Sequence, residues 1–107
     1  MQTKTDYPML STLIGGYLNQ DMDMIADTVP EAVAAQAKIL SEAEREAFRA
    51  EMTAFLATHG ADADAVFHAL YWFDFDPKDI GQTVAEFFDM VRAILASPDA
   101  YRRFEDQ

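Results

Sequence analysis

The chain has 107 residues, of which half are hydrophobic, and it carries 19 acidic against 8 basic residues for a formal net charge of −11. This length predicts a single domain over residues 1–107, with disorder expected only in residues 1–6 and the last few. Because there is no cysteine, a disulfide framework, a thiolate metal site and a cysteine nucleophile are excluded. The negative charge disfavours binding to nucleic acid or to an anionic membrane and favours basic partners.

The start of the chain shows no export signal. The opening residues MQTKTD lack a basic region followed by an apolar stretch. No later segment approaches the roughly 18 apolar residues that a membrane-spanning helix requires. We therefore expect a cytoplasmic protein, and the absence of cysteine suits a reducing compartment.

Apolar residues at helical spacing predict a first helix, with Pro8 in its first turn and its end near Asn19. The stripe on one face of this helix consists of Leu10, Leu13, Ile14, Tyr17 and Leu18. Gly15 and Gly16 each lower helix propensity by roughly 1 kcal/mol relative to alanine. The glycine pair therefore predicts a close crossing by another backbone.

Two capping boxes predict the starts of the second and third helices. The boxes are formed by Thr28 with Glu31 and by Ser41 with Glu44. We expect the second helix to run to about Leu40. The third helix, expected to be the longest, runs from about Glu42 to His59 and stops at Gly60, a residue type common just after helix ends.

Asp62 or Asp64 is predicted to cap a shorter fourth helix, whose apolar face includes Val66, Phe67, Leu70 and Tyr71. Residues 74–81 are predicted to form a loop. The fifth helix has a stripe made of Val84, Phe87, Phe88, Val91 and Leu95. Ser97 and Pro98 then start a short terminal turn or helix. Because no segment shows sustained strand alternation, the predicted fold is all-α, with five helices plus the terminal turn or helix.

The sequence offers no catalytic or metal-binding pattern. His59 and His68 are the first candidates for acid–base catalysis by residue type, but they are predicted to have structural or surface roles. A calcium loop that started at Asp74 would have Asp79 instead of glycine at its sixth position and Ala85 instead of glutamate at its twelfth. We therefore predict no catalytic residue, no metal and no cofactor.

Aromatic and acidic residues are concentrated after the third helix. The aromatic run comprises Tyr71, Trp72, Phe73 and Phe75, and neighbouring helix positions face about 100° apart, so at least one aromatic should lie near the surface. An apolar anchor beside acids suits a basic protein surface. The predicted partner-binding residues are Asp62, Asp64, Trp72, Asp74, Asp76 and Asp79.

The opening of the chain has a distinctive order: a Tyr-Pro pair, an apolar helix, then a Gln-Asp pair with further acids. Its residues are Tyr7, Pro8, Leu10, Leu13, Gly16, Tyr17, Gln20, Asp21 and Asp27. This order resembles the start of the bacterial contact-dependent growth inhibition immunity proteins, and the Phe75-Asp76-Pro77 loop is a weaker echo of the same family. The motif residues themselves are expected to be structural, in the core or at helix ends.

The resemblance implies a cytoplasmic inhibitor that binds a cognate toxin domain, commonly a nuclease, and neutralises it by stoichiometric occlusion. The acidic charge fits such a partner, because a nuclease groove must be basic to hold phosphates. The alternative is a small acidic helical adaptor or regulator that binds a host protein. An enzyme or a metal carrier is the third and weakest hypothesis.

Overall fold

The computed structural model describes residues 7–18, 26–71 and 74–105, so residues 1–6 lie outside the described part. Within it the α-helices are α1 Pro8–Gly16, α2 Val29–Ile39, α3 Glu42–His59, α4 Ala63–Tyr71 and α5 Val84–Ala96. Three 3₁₀ segments connect or follow them: Gly60–Asp62, Pro77–Ile80 and Pro98–Phe104. These ranges contain no strand, and the all-α prediction is confirmed.

The predicted capping boxes are found, one of them in reduced form. Ser41 Oγ accepts from the Glu44 N–H at 3.1 Å, and Glu44 Oε1 accepts from the Ser41 N–H at 2.8 Å, so this box is complete. Thr28 Oγ1 accepts from the Glu31 N–H at 3.2 Å. Its hydroxyl donates to Glu105 Oε2 at 2.7 Å. Thr28 therefore caps α2 and also ties its start to the end of the described chain.

Helix α1 ends earlier than its apolar stripe predicted. It stops at Gly16, with Tyr17 as the C-cap, whereas Asn19 lies outside the described residues. A Cβ atom at Gly15 would lie 4.0 Å from Asp74 Oδ2, an ordinary contact distance, and one at Gly16 would meet no atom within 4 Å. The predicted close crossing is thus absent from the part of the chain that the structure describes. The two glycines, with their low helix propensity, instead form the last turn of α1.

The core centres on the ring of Phe55 in α3. Its centroid lies 5.1 Å from that of Tyr7, 6.0 Å from that of Phe67 and 5.6 Å from that of Phe88, all in edge-to-face geometry. All four residues are buried, and they come from α3, α4, α5 and the residue before α1. Edge-to-face pairs add about 0.5–1.5 kcal/mol each beyond the burial of area. This cluster joins three helices and the start of α1 around one centre.

The first turn of α1 is closed by a side chain from α3. The residue at its N-cap, Tyr7, makes no side-chain capping bond. Glu51 instead accepts hydrogen bonds from the backbone N–H groups of Met9 and Leu10, both at 3.0 Å. Because the first N–H groups of a helix have no partner within the helix, this carboxylate fixes α1 against α3.

A second charged side chain of α3 donates hydrogen bonds to the C-terminal ends of two other helices. Arg45 donates to the backbone oxygens of Ala37 at 2.7 Å and Leu95 at 3.2 Å, which lie in the last turns of α2 and α5. Helices α2 and α5 also pack against each other and against the segment Pro98–Phe104. Arg45 therefore holds the C-terminal ends of α2 and α5 together beside the start of α3.

Candidate partner-binding surfaces

Asp64, which we predicted to cap α4 and to bind a partner, caps a different helix. Its Oδ1 atom accepts from the Val84 N–H, the first of α5, at 2.7 Å. Helix α4 continues directly from the segment Gly60–Asp62, so it has no separate start that an aspartate could cap. The predicted cap of α4 is therefore wrong, and Asp64 fixes α5 to α4 instead.

Asp76 also makes intramolecular bonds. Its Oδ1 atom accepts from the Lys78 N–H at 2.9 Å, and its Oδ2 atom accepts from the ring N–H of His68 at Nδ1, 2.6 Å away. The Asp76 side chain is 14% exposed and the His68 side chain 60%. Burial acts to raise the pKa of Asp76, but the Lys78 N–H and His68 outweigh it, so the pKa is lowered. Asp76 thus fastens the segment Pro77–Ile80 to α4.

The remaining predicted binding residues differ in accessibility. Asp62 and Asp79 are exposed, and their carboxylates bond to no other residue in the described ranges. Asp74 is half-buried and lies near Gly15. Trp72 lies outside the described residues. Within the predicted set, Asp62 and Asp79 are therefore the acids best placed for direct contact with another molecule.

The structure also forms a groove that the sequence did not predict, here called the acidic groove. It lies between the start of α2, the segment Pro77–Ile80, α5 and the segment Pro98–Phe104. One compartment measures about 410 Å³ and includes Glu86 and Asp89. The other measures about 300 Å³ and includes Asp27 and Glu105. The two compartments adjoin each other and share four lining residues, which are Ile80, Gln82, Met90 and Phe104.

Two of the four carboxylates in the acidic groove already have strong internal partners. Glu86 Oε1 accepts from the Thr83 N–H at 2.9 Å in a capping box, and Glu105 accepts from Thr28. Asp89 is 79% exposed, and its contact with Arg92 is long, at 3.8 Å. Asp27 is exposed and bonds to no other described residue through its side chain. Asp27 and Asp89 therefore leave one exposed carboxylate without a strong internal partner in each compartment.

The lining of the acidic groove includes the side-chain amide of Gln82, one atom of which lacks a hydrogen-bond partner among the described residues. Gln82 Nε2 makes only a weak contact with Met90 Sδ at 3.8 Å. Its Oε1 atom is buried and has no hydrogen-bond partner in the described part of the chain. An unpaired buried acceptor costs about 1–3 kcal/mol. The groove therefore combines four carboxylates with a lining amide whose oxygen is enclosed by the protein.

The two histidines belong to separate contacts. His59 Nε2 lies 3.5 Å from the Tyr7 hydroxyl, and its ring packs against Phe55 at 4.8 Å, whereas His68 pairs with Asp76. The described ranges hold no group of three or more His, Cys, Asp or Glu side chains arranged to bind a metal ion. Nor does any helix in them have both the length and the apolar character to cross a membrane.

Part of the acidic groove leaves a signal in the sequence. Glu86, Asp89 and Met90 stand at i, i+3 and i+4, so they share one face of α5 beside the predicted apolar stripe. Asp27 and Phe104 come from opposite ends of the chain, and no local pattern relates them to α5. The acidic face of α5 could thus have been found from the sequence, whereas the groove could not.

The fold and the exposed acids together describe a small all-α protein that presents accessible carboxylates at two surfaces. The family model for the CdiI immunity protein matches residues 6–95. The chain therefore belongs to the CdiI immunity protein family, which confirms the resemblance of its opening residues. No curated protein and no solved structure matches the chain. The family match includes Asp27 and Asp89, whereas the segment Pro98–Phe104 lies beyond it.

Proposed function

We propose that this protein neutralises a cognate toxin domain, a nuclease, by binding it stoichiometrically and occluding it. The observation that carries the proposal is the family match over residues 6–95. A formal charge of −11 supports the nuclease assignment, because a nuclease must present basic side chains to hold phosphates. Acidic side chains of the immunity protein can occupy the same basic surface.

The predicted set of Asp62, Asp64, Trp72, Asp74, Asp76 and Asp79 is retained as one toxin-contacting surface. Within it, Asp62 and Asp79 make the direct contacts, since both carboxylates are accessible. Asp64 and Asp76 position the loop between α4 and α5 through their bonds to Val84, Lys78 and His68. The loop runs back along α4, because Asp76 lies beside His68 and Val84 beside Asp64.

Electrostatic attraction should dominate the approach of the two proteins. The Debye length falls from about 30 Å at 0.01 M salt to about 8 Å at 0.15 M. We therefore expect the association rate to fall steeply over that range, while the dissociation rate changes little. A stopped-flow titration against salt measures both rates.

The test uses the toxin domain encoded immediately upstream of this gene. The isolated domain should cleave nucleic acid, and added immunity protein should abolish cleavage with an endpoint at one molecule per toxin. The double variant Asp62→Asn with Asp79→Asn should bind more weakly than Glu42→Gln with Glu46→Gln, which removes the same charge from exposed positions of α3.

Three outcomes separate the parts of the proposal. Failure of the wild-type protein to protect cells that express the toxin domain would refute the immunity function. Protection without any nucleic-acid cleavage by the toxin would refute the nuclease assignment alone. Equal binding by the two double variants would remove Asp62 and Asp79 from the contact surface.

A further inference from the structure

We propose that the acidic groove takes up an arginine side chain of the toxin domain, one that would otherwise hold a phosphate of the nucleic acid. This inference rests on the proposed function and names the partner group that the groove accepts. The groove adjoins the surface proposed above, since Asp79 and Ile80 are neighbours in the segment Pro77–Ile80. The two sites can therefore contact one partner at the same time.

The negative charge of the groove favours the binding of a cation. Each compartment holds two carboxylates, and none of the residues that line either compartment is basic. The carboxylates of Asp27 and Asp89 are accessible and lack a close cationic partner among the described residues, apart from the long contact to Arg92. Like charges that share a concave site repel each other, and a bound cation relieves this repulsion.

The apolar lining favours a guanidinium over an ammonium group. A guanidinium is planar and weakly hydrated, and it packs on aromatic faces, whereas an ammonium is compact and strongly hydrated. The groove offers it the Phe104 ring and the Met90 side chain, with carboxylates around them. The Arg103 guanidinium of the chain itself lies 5.6 Å from the Phe104 ring centroid, so part of this ring is already covered by a cation and the toxin arginine would use the remaining surface.

The dimensions of the groove fit one side chain. Compartments of about 410 and 300 Å³ stand at the lower end of the roughly 300–1,000 Å³ that small-ligand sites occupy. Each compartment is large enough for the end of one long side chain.

The groove is also formed before any partner binds. The bond between Thr28 and Glu105 joins two lining residues of the compartment of about 300 Å³, and the capping box of Thr83 and Glu86 fixes the start of α5. Because these groups need not be ordered on binding, little conformational entropy is lost there. A preformed groove suits a protein that must act at once on an incoming toxin.

The first test removes the accessible charges without changing side-chain shape. In the full-length protein, Asp27→Asn with Asp89→Asn should weaken binding to the upstream-encoded toxin domain by about tenfold or more. The matched control, Glu42→Gln with Asp99→Asn, has the same net charge and should bind within about threefold of wild type. Phe104→Leu keeps an apolar side chain and should weaken binding by about two- to fivefold through loss of the aromatic face.

The second test identifies the occupant on the toxin. Phenylglyoxal modifies accessible arginines, and mass spectrometry of the toxin should find one arginine protected in the wild-type complex. The same arginine should react in the complex with the Asp27→Asn and Asp89→Asn variant. Protection of a lysine from acetylation at this contact, without any such arginine, would overturn the choice of arginine.

The outcomes distinguish the groove from the wider function. If the wild-type protein fails to bind the toxin domain, the proposed function fails and the groove proposal fails with it. If the wild type binds and the groove variant binds as well as its control, only the groove proposal is overturned. Weaker binding with unchanged arginine protection would also overturn it, because the charges would then act from a distance.

Discussion

Five acids of this protein fall into two groups with different roles. The first group, here called the closing acids, is Glu51, Asp64 and Asp76. Glu51 and Asp64 accept hydrogen bonds from backbone N–H groups of other helices, and Asp76 accepts from the Lys78 N–H and from the His68 ring in α4. Asp27 and Asp89 stand at the acidic groove with their carboxylates accessible. A carboxylate that satisfies a helix end contributes to stability, and one without such a bond remains available to a partner. In a chain with net charge −11, the location of an acid therefore matters more than the density of acids around it.

The largest effect on stability is expected at Glu51. In Glu51→Ala, the N–H groups of Met9 and Leu10 lose their acceptor, and the free energy of unfolding should fall by about 2–3 kcal/mol. Urea unfolding followed by circular dichroism measures the change. The control Glu46→Ala, on the exposed face of the same helix, should stay within about 0.5 kcal/mol of wild type. Equal losses in the two variants would contradict the distinction.

The second-largest loss of stability is expected at Asp64. Its bond to the Val84 N–H acts as an N-cap from another helix, so Asp64→Ala should cost about 1–2 kcal/mol. Asp62→Ala provides the control, since Asp62 is exposed and its side chain bonds to no described residue. Hydrogen exchange at the first turn of α5 should rise in Asp64→Ala alone. Unchanged protection there would argue against the cap.

Asp76 should give a smaller loss that depends on pH. Its pKa in the folded protein lies below the ordinary value of 3.8, so the stability it contributes is complete above about pH 3.8 and is lost as the pH falls through the lowered pKa. Asp76→Asn should cost about 1 kcal/mol at neutral pH and approach the wild type in stability in strong acid. Unfolding curves between neutral and strongly acid pH test this. A difference that stays constant with pH would show that the charge of Asp76 has no part in it.

The smallest effect on stability is expected from the acids at the groove. Asp27→Asn with Asp89→Asn should change the free energy of unfolding by less than about 0.5 kcal/mol, because neither carboxylate has a strong internal partner. Thermal unfolding of this variant beside Glu51→Ala compares the two groups of acids directly. A loss as large as that of Glu51→Ala would show that Asp27 and Asp89 also hold the fold.

Local patterns predicted most of the helices. The Ser41 and Glu44 box is complete, and the stripe residues Phe67, Phe87 and Phe88 are buried, because each pattern depends on contacts a few residues apart. For Gly15 and Gly16 the predicted close crossing is not found among the described residues, because low helix propensity alone cannot distinguish a helix end from a close crossing. The partner of Asp64 could not be predicted, because Val84 is brought to it only by the packing of α5 on α4.

By itself, the sequence determined the helical class, the order of the helices and the family, because helix caps, apolar periodicity and the opening motif are all local in the chain. Tertiary structure alone decided which acids bond to other groups of the protein and which remain available to a partner. It placed Asp64 and Asp76 beside the donors to which they bond, and it brought Asp27, Asp89 and Phe104 to one groove. The physical reason is that a carboxylate binds whichever donor the packed helices place beside it, and for Glu51, Asp64 and Glu105 that donor is far away in the sequence.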